Sequence, residues 1–436
     1  MNETNRVGEK KLRVLLLLSE TWNDNWAPNN NMTNWFSDFQ DIEIATVSGS
    51  GNMPCNKICK DYFLIGEGQM LKSLINGRPV GKAYHFENYP QAPKAAELSE
   101  KRKKIGFGEC ARLARDIVWR FGRIDRNELR KFIDEFDPDV IFSQRKGSIK
   151  MCRIERIVSK MTPAPMIAYT GDDEYSFGQF SLSPIFWLRR LWLRRTLNKN
   201  IKMYKLFYSQ SERQMREFEK KFKVPTKFLV KCGSFDEEKI HRTVNSPIQL
   251  VYAGKLYCNR WKTLAMMADA VKNINEQTGN KKIVLNIYTR DAVTKKQDKL
   301  LNDGINSIIH GGVSAEELTR VYHRSDVALH IEGFDLKNRL LTKDSFSTKV
   351  MDCLSSGCAV LAVCADIHAA GQYLRAQDAA MVASSAKEIS EILERISDDP
   401  RTVTKYAEKA YLCGVKNHER KNIQAMLRAD LENALR

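Results

Sequence analysis

Short runs of apolar residues alternate along the chain with longer segments whose apolar positions recur at helical spacing. This alternation is typical of α/β proteins, in which crossover helices join the strands of parallel sheets. In the first half, apolar runs predict strands at residues 12–18, 42–47, 139–143, 166–169, 206–208 and 227–230. The pattern restarts in the second half, where strands are predicted at residues 248–253, 283–288, 305–309, 327–331, 359–363 and 379–382.

Two domains follow from this restart, because 436 residues exceed what a single hydrophobic core usually serves. The segment 231–247 contains glycine, serine and proline and little apolar surface, so we interpret it as the linker. We expect an N-terminal domain of residues 1–235 and a C-terminal domain of residues 236–415. The helical segment 416–436 exceeds what one crossover needs, and we expect it to return to the N-terminal domain.

The charge of the chain favours anionic partners, since 70 lysines and arginines stand against 53 acidic residues and give a net charge of +17. Nucleic-acid binding is not expected, because no recognition motif accompanies the charge. The ten cysteines form no zinc pattern, which favours free thiols in a reducing compartment. The first apolar run is too short for a signal peptide or a membrane span. We therefore expect a cytoplasmic protein, with contact to the inner face of a membrane as a further option.

The loops that follow the predicted strands carry the candidate chemistry, because ligands of open parallel sheets bind at the carboxyl ends of the strands. After residues 248–253, Gly254 permits close approach of a ligand to the backbone. Three cations follow it, with charges that suit a diphosphate: Lys255, Arg260 and Lys262. The alternative interpretation is that these cations lie on a solvated helix start.

Two further loops of the second half suit phosphate binding. The loop after residues 305–309 forms a tight turn into a helix, with Gly311, Gly312 and Val313 ahead of a capping serine. The segment 344–363 predicts a polar loop, a helix that begins near Ser347, a stop at a glycine and a buried strand. The N-terminus of that helix offers N–H groups and the hydroxyls of Ser347 and Thr348 to phosphate oxygens, and Lys349 adds positive charge.

This last segment resembles the signature of the retaining GT-B glycosyltransferases gathered around glycosyltransferase family 4. In that signature two glutamates flank seven residues, and Asp344 and Asp352 occupy the two acidic positions here at the same spacing. Phe346 and Gly357 match its aromatic residue and its helix end. The resemblance extends to other positions of the C-terminal half, namely Gly254, Lys255, Arg260 or Lys262, Gly311, Gly312 and Val313. In the first half, the strand order agrees, and so do three linker residues: Gly233, Ser234 and Asp236.

The resemblance implies a GT-B fold, in which two Rossmann-like domains face each other across a cleft. It also implies that Asp352 binds the ribose hydroxyls of a nucleotide-sugar and that Asp344 binds its sugar. Lys255 and Lys262, together with Arg260, would stabilise the departing diphosphate, and no metal or other cofactor is expected. The alternative is that Asp344 and Asp352 are ordinary acids near helix ends.

The function implied is transfer of a sugar, with retention, from a nucleoside diphosphate sugar to a saccharide or lipid-linked acceptor, in polysaccharide or glycoconjugate assembly. Two alternatives stay open. One is another GT-B chemistry, such as inverting transfer or nucleotide-sugar epimerisation. The other is a nucleotide-binding module without turnover, since both signature acids are shortened to aspartate.

Acceptor contacts are expected in the first half. After residues 166–169, Asp172, Asp173 and Glu174 form an acidic cluster in which Asp172 can orient an acceptor hydroxyl or act as a base. A plain acidic loop is the alternative. After the first strand, Trp22 and Trp26 suit stacking on a sugar, or else belong to a surface loop capped by a buried tryptophan.

Basic clusters raise the question of an anionic membrane surface as a further partner. Residues 101–104 read KRKK, and the segment 183–197 combines four arginines with two tryptophans and several leucines, a composition that suits a membrane interface. Its apolar residues do not share a single helix face. A packed helix whose arginines reach outward is therefore the alternative interpretation.

Overall fold

The computed structural model describes residues 11–24, 30–87, 108–240 and 243–436. Trp26 and the basic run at 101–104 lie outside the described residues. The chain forms two compact units. The first takes the described residues up to Phe177, then Ser181–Leu229 and Gln424–Arg436, and the second takes Gly178–Phe180 and the described part of Val230–Ile423.

An eight-stranded sheet with the order β4-β3-β2-β1-β5-β6-β7-β8 lies at the centre of the first unit. Its neighbouring strands are parallel except for β3 and β4, which run antiparallel. The strands are β1 (Leu12–Leu18), β2 (Ile42–Ser48), β3 (Asp61–Leu64), β4 (Lys82–His85), β5 (Val140–Arg145), β6 (Met166–Thr170), β7 (Tyr204–Ser209) and β8 (Thr226–Phe228). The described helices are α1 (Asn30–Phe36), α2 (Glu67–Asn76), α3 (Glu109–Phe121), α4 (Arg126–Phe136), α5 (Ile149–Val158), α6 (Pro184–Asn200) and α7 (Glu212–Phe222).

Strands β5 and β6 are buried along their whole length and β1 is buried except at Arg13, as expected when helices cover both faces of a parallel sheet. The helices begin where side chains cap them. Ser148, Ser183 and Ser211 each accept a hydrogen bond from a backbone N–H in the first turn of the helix that follows. A short 3-10 turn, Ile201–Met203, leads from α6 into β7.

The second unit contains a six-stranded parallel sheet with the order β11-β10-β9-β12-β13-β14. Its strands are β9 (Ile248–Ala253), β10 (Ile283–Tyr288), β11 (Ser307–His310), β12 (Val327–Ile331), β13 (Ala359–Val363) and β14 (Met381–Ala383). Its helices are α8 (Arg260–Thr278), α9 (Lys295–Leu301), α10 (Ala315–His323), α11 (Leu336–Thr342), α12 (Thr348–Leu354), α13 (Ala369–Ala376), α14 (Ala386–Asp398) and α15 (Arg401–His418). A final helix, α16 (Arg420–Asn433), contributes residues to both units.

The order of this sheet is that of a doubly wound Rossmann fold, because the first three strands run outward on one side and the next three on the other. The direction reverses between β9 and β12, which are neighbours in the sheet although two strands separate them in sequence. The first sheet reverses in the same way between β1 and β5. At such a switch point the two following loops turn to opposite faces and leave a crevice.

Most of the predicted strands are confirmed, and those at 12–18, 248–253, 283–288, 327–331 and 359–363 have the predicted bounds. The strand predicted at 305–309 lies at Ser307–His310, and the one predicted at 379–382 lies at Met381–Ala383. The sequence did not predict β3 and β4. Strand β3 has four residues, and β4 is mostly exposed at the edge of the sheet, so neither produces a long apolar run.

The segment interpreted as the linker packs against α15 within the second unit. Gly233 donates its N–H to the carbonyl of His418 and accepts from the N–H of Arg420, at 2.9 and 3.0 Å. The ring of Phe235 lies so close to Gly414 that a Cβ there would approach it to 2.0 Å. Gly233 and Phe235 are therefore packed into the second unit and do not form an open linker.

The last residues of the chain pack on the first unit. Asp430 accepts a hydrogen bond of 2.6 Å from the Tyr208 hydroxyl, and Lys227 donates to its other carboxylate oxygen. Arg428 pairs with Asp41 at 2.8 Å. These contacts join α16 to residues of β7 and β8 and to the residue before β2.

A fully buried ion-pair network ties together five elements of the first unit. Arg145, the last residue of β5, donates to Glu155 of α5 at 2.7 Å and to Glu174, after β6, at 3.0 Å. Glu155 also accepts from Asn200 and from the Tyr204 hydroxyl, at 2.7 and 2.8 Å. Burial raises the pKa of Glu174, and the Arg145 guanidinium opposes that rise. The network fixes the loop after β6.

We expect Arg145→Met to lower the free energy of unfolding by about 3–5 kcal/mol, because it leaves two buried carboxylates without their cation. Urea denaturation of the full chain measures this change. The matched control is Arg216→Met, which removes an exposed pair with Glu212 and should cost less than about 1 kcal/mol. Equal losses in the two variants would contradict a structural role for the network.

Candidate functional site

The carboxyl edge of the second sheet brings several predicted residues together at its switch point. Gly254 follows β9 directly, and Glu332 follows β12 directly. The helices that begin nearby are α8, with Arg260 as its first residue, and α12, which carries Lys349. These four residues come from two connections, the one from β9 to β10 and the one from β12 to β13.

A buried ion pair joins the two sides of this switch point. Arg260 donates from Nη2 to both carboxylate oxygens of Glu332, at 2.7 and 3.0 Å, and from Nε at 3.2 Å. Thr263 donates to the backbone carbonyl of Glu332 at 2.8 Å. Burial by itself lowers the pKa of Arg260, but the Glu332 carboxylate raises it above its ordinary value. Arg260 therefore stays charged and has a fixed position.

Lys349 reaches the carboxyl end of β9. Its ammonium donates to the carbonyl of Ala253 and lies 5.4 Å from the centre of the Tyr252 ring. Burial lowers the pKa of Lys349 to about 8, and the nearby charges of Arg260 and Lys255 contribute to that decrease. The structure thus places three cations near one another, two from the β9 loop region and one from α12.

The Lys349 side chain occupies the space beside Gly254. A Cβ at this position would lie 2.1 Å from Nζ of Lys349 and 2.8 Å from the hydroxyl of Tyr252. That hydroxyl donates to the carbonyl of Lys255 at 2.6 Å and so holds the next residue of the loop. Gly254 and the Lys349 ammonium, which were both predicted at this edge of the sheet, are therefore in direct contact.

Lys262 does not join this group. Its side chain is exposed, and its ammonium lies 5.6 Å from the centre of the Trp261 ring, which Lys296 approaches at the same distance. Residues two apart on a helix point to different sides, and Arg260 is the one that points to Glu332. Lys255 is exposed, with its ammonium 5.9 Å from the centre of the Tyr257 ring.

The two acidic positions of the signature differ in environment. Asp344 is buried, with Nζ of Lys343 at 3.8 Å. Asp352 has 38% of its side chain exposed and accepts a hydrogen bond of 3.0 Å from Lys231. Lys231 was not predicted from the sequence, because it precedes the first strand of the second unit and reaches Asp352 across 121 positions.

The residues around the start of α12 have the predicted local structure. Ser347 is the N-cap, and its hydroxyl accepts from the N–H of Lys349. Thr348 is the first helical residue. Phe346 is buried and packs edge to face with Tyr373, with 5.4 Å between ring centres, so its match to the signature is a packing role.

The glycine turn after β11 accommodates an arginine that sequence reasoning missed. Arg290 follows β10 and donates to the carbonyl of Val313 at 2.6 Å. A Cβ at Gly312 would lie 2.2 Å from Cγ of Arg290, whereas a Cβ at Gly311 would meet no atom within 4 Å. Glu332 directly follows a predicted strand, and Arg290 lies one residue further from the end of another. Their positions near the carboxyl ends of strands were the sequence signal that could have marked both residues as site candidates.

In the first unit, the acidic cluster divides into one exposed and two structural residues. Asp172 is exposed at the carboxyl edge after β6. Asp173 is almost fully buried and pairs with Arg190 at 2.7 Å, and Glu174 belongs to the network of Arg145. A direct acceptor role is therefore compatible with Asp172 and not with the two residues after it.

The loop after β1 has a buried tryptophan. Trp22 is fully buried, and its indole N–H donates to the hydroxyl of Thr33 at 2.8 Å. Stacking of Trp22 on a sugar is therefore wrong, and a loop capped by a buried tryptophan is the correct interpretation. Lys150 of α5, which the sequence did not single out, donates to the carbonyls of Ser19 and Gly49 at 2.8 and 2.9 Å and so fixes the ends of β1 and β2.

Helix α6 is packed into the first unit through its arginines. Arg189 pairs with Asp116 and Glu109, each at 2.8 Å. Arg190 donates to the Ser176 carbonyl at 2.8 Å, and Arg194 lies 4.0 Å from the ring centres of both Tyr175 and Phe177. Three of the four arginines thus hold protein groups, which corresponds to the packed-helix interpretation.

Neither a metal site nor a membrane span is found in the part of the chain that the structure describes. Its histidines, cysteines and carboxylates form no group of three or more that could hold a metal ion. Among its helices, none combines the length and the hydrophobicity needed to cross a bilayer.

Comparisons with known proteins agree with this geometry. Residues 245–428 match the family model described as glycosyl transferase-like. No curated protein sequence matches the chain. The fold resembles a UDP-forming α,α-trehalose-phosphate synthase from Burkholderia xenovorans, solved with glucose-6-phosphate, with a TM-score of 0.58 at 11% identity over 96% of this chain and 100% of that one.

Two further solved structures show the same similarity. Sucrose-phosphate synthase from Thermosynechococcus elongatus gives a TM-score of 0.57 at 10% identity, over 97% of this chain and 98% of that one. A trehalose-6-phosphate synthase, solved in a study of glycosyl transfer with retention, gives 0.59 at 13% identity, over 96% and 99%. The expected GT-B fold is confirmed, with a glycosyl transferase-like region at residues 245–428. Membership of glycosyltransferase family 4 in particular stays a prediction.

We expect Gly254→Ala to lower the free energy of unfolding by about 1–3 kcal/mol, because the new methyl group forces the Lys349 ammonium away from the Ala253 carbonyl. A double-mutant cycle with Lys349→Ala, followed by denaturant unfolding, measures the coupling. The loss should be much smaller when Lys349 is already shortened. Gly311→Ala, in open space, is the control, and additive losses at 254 and 349 would contradict the clash.

Proposed function

We propose that the protein transfers a sugar, with retention of its anomeric configuration, from a nucleoside diphosphate sugar bound by the second unit to a saccharide or lipid-linked acceptor contacted by the first. The observation that carries this proposal is the group of Arg260, Lys349 and Lys255 at the switch point of the second sheet. Open α/β sheets bind nucleotides at this position, and cations there suit a diphosphate.

The chemistry of glycosyl transfer needs fixed positive charge at this place. As the bond between the sugar and the diphosphate breaks, negative charge grows on the leaving diphosphate oxygen. Cations that are already oriented stabilise that charge without reorganisation during the reaction. Arg260 is held by Glu332, and Lys349 is held by the Ala253 carbonyl, so both are positioned in advance.

Roles for the two signature acids follow from their surroundings. Asp352 is partly exposed and only one of its oxygens, Oδ1, accepts from Lys231, so we assign it to the ribose hydroxyls of the nucleotide. Asp344, buried beside Lys343, is assigned to hydroxyls of the donor sugar. The carboxylate of Asp172 is the group of the first unit that we assign to the acceptor. We also propose that the diphosphate reaches the turn of Gly312 and Val313 and the start of α12 at Ser347 and Thr348.

The diphosphate-binding role of Lys262 stays a prediction, because its ammonium lies over the Trp261 ring. We propose UDP as the first nucleotide to test, because similar folds include UDP-forming synthases. A role in polysaccharide or glycoconjugate assembly, cytoplasmic location, contact with an anionic membrane surface and independence of metal stay predictions from the sequence.

We expect wild-type protein to bind UDP and Asp352→Ala to bind it about 1–3 kcal/mol more weakly, because the variant loses an ionised acceptor for ribose hydroxyls. Titration calorimetry measures both. Asp269→Ala, an exposed substitution on α8, is the control. NMR of the product formed from a UDP-sugar should show the donor's anomeric configuration.

Unchanged affinity in a folded Asp352→Ala protein would remove the ribose assignment. Binding of UDP-sugars without release of UDP across a panel of saccharide and lipid-linked acceptors would identify a nucleotide-binding module instead. A product of opposite anomeric configuration would identify inverting transfer. Absence of binding to any nucleoside diphosphate or nucleotide-sugar would overturn the proposed function.

The lowered pKa of Lys349 predicts a pH dependence of nucleotide affinity. Below its pKa of about 8 the ammonium is charged, and it loses that charge as the pH rises through this value. We therefore expect UDP affinity to fall by about tenfold between about pH 7 and pH 9.5, a range in which the diphosphate itself is already ionised. Calorimetry across this range should give a flatter profile for Lys349→Gln than for the wild type or for Lys272→Gln. The same pH dependence of UDP affinity in the wild type and in Lys349→Gln would show that Lys349 does not contact the diphosphate.

A further inference from the structure

A basic cavity lies among α3, α4, α5 and α6 of the first unit, with a volume of about 640 Å³. Six arginines line it: Arg120, Arg126, Arg130, Arg153, Arg156 and Arg195. Lys160 and Lys199 add two further cations. Of the described residues that line the cavity, none is acidic.

The candidate acceptor residue Asp172 does not line this cavity. Helix α5 leads from β5 to β6, and α6 leads into β7, so the last turn of each approaches the amino ends of parallel strands. Lys160 follows α5, and Lys199 lies in the last turn of α6. Asp172 follows the carboxyl end of β6. The part of the lining formed by Lys160 and Lys199 thus lies at the other end of the strands from Asp172, and the first residues of α4 and α5, Arg126 and Ile149, complete the lining.

The arginines of this cavity differ in their partners from Arg189 of α6 and from Arg145 of β5. Arg189 of α6 has two carboxylate partners, and Arg145 beside α5 has two as well. No ion pair with a described carboxylate is found for the six cavity arginines. Uncompensated positive charge in a concave site raises the local concentration of anions.

Two backbone carbonyls hold the guanidinium of Arg153. It donates to the carbonyl of Trp119 and, at 2.6 Å, to that of Gly122, at the end of α3. Burial lowers its pKa to about 10, and the charges of Arg126 and Arg120 contribute to the decrease. The guanidinium of Arg153 is thus held close to the like charges of Arg126 and Arg120, and a bound anion would reduce the repulsion among them.

The cavity also has an apolar wall. Trp192 is partly buried against Ile149 and lines the cavity together with Ile157 and Met161. Arginine forks suit phosphate oxygens, and a tryptophan face suits the flat or apolar part of an organic ligand. The volume exceeds that of a single phosphate and accommodates a ligand of nucleotide size.

We propose that this arginine cavity, as defined by the six arginines above, binds an organic diphosphate or polyphosphate at a site separate from sugar transfer. The ligand's phosphates contact the arginines of α4 and α6, and its organic part packs on Trp192. A soluble phosphate ester and a phosphorylated lipid headgroup share this chemistry. The experiment below distinguishes these two sources.

Titration calorimetry of the full chain with inorganic tripolyphosphate tests the site. We expect binding that weakens with added salt and falls about tenfold or more in Arg130→Gln/Arg195→Gln, since charged hydrogen bonds to phosphate are lost. Both side chains are exposed, so the variant should fold. Lys131→Gln, on the same helix but outside the cavity lining, should bind as the wild type does.

Thermal unfolding at low salt gives a second readout that a merely structural role would not move. Without ligand, the double variant should be at least as stable as the wild type, because like-charge repulsion is reduced. With tripolyphosphate, the wild type and Lys131→Gln should be stabilised clearly more than the double variant. Equal stabilisation of the three proteins, or no binding to the wild type, would overturn the proposal.

Sedimentation with vesicles identifies the source of the ligand. Vesicles of phosphatidylcholine with about a third phosphatidylinositol bisphosphate or phosphatidylglycerol present phosphates at a surface. Cosedimentation that the double variant loses, in addition to tripolyphosphate binding, supports a headgroup ligand. Tripolyphosphate binding without cosedimentation supports a soluble ligand. Vesicle binding that the double variant retains in full, without any difference in tripolyphosphate binding, contradicts the site.

Discussion

The hydrogen bonds between Arg260 and Glu332 fix the geometry on which the candidate donor site depends. They join the start of α8 to the residue after β12, across the point where the winding of the second sheet reverses. With Arg260 held, its charge contributes to the lowered pKa of Lys349, whose ammonium occupies the space that Gly254 leaves open. The Glu332 carboxylate thereby fixes Arg260, and the charge of Arg260 in turn acts on Lys349.

Sequence alone predicted most strands of the two sheets, because the strands of covered parallel sheets are continuous apolar runs. It also predicted that Gly254 and Lys349 belong to one site, since both stand at the carboxyl edge. The partners of these residues were not predictable. Glu332, Arg290 and Lys231 reach the site across 72, 23 and 121 positions, and such pairing depends on strand order rather than on local pattern.

Charged residues of similar appearance in sequence have opposite roles in the folded protein. Asp173 and Glu174 follow Asp172 directly, yet each forms an ion pair with an arginine and so holds the loop in place. Arg190 and Arg194 of α6 support that same loop, whereas Arg195, the next residue, faces the arginine cavity. The arginines whose number suggested a membrane helix thus have two roles, and the helix face on which each lies decides whether it supports the fold or is available to a ligand.

The attachment of α16 has a consequence for the order in which the chain folds during synthesis. The hydrogen bond between Tyr208 and Asp430 spans 222 positions and completes the first unit with residues that follow the whole second sheet. Parallel pairing of β7 and β8 can form earlier, but Lys227 and Tyr208 lack their carboxylate partner until Asp430 leaves the ribosome. The first unit is therefore expected to reach its final stability only after translation has passed through the second sheet.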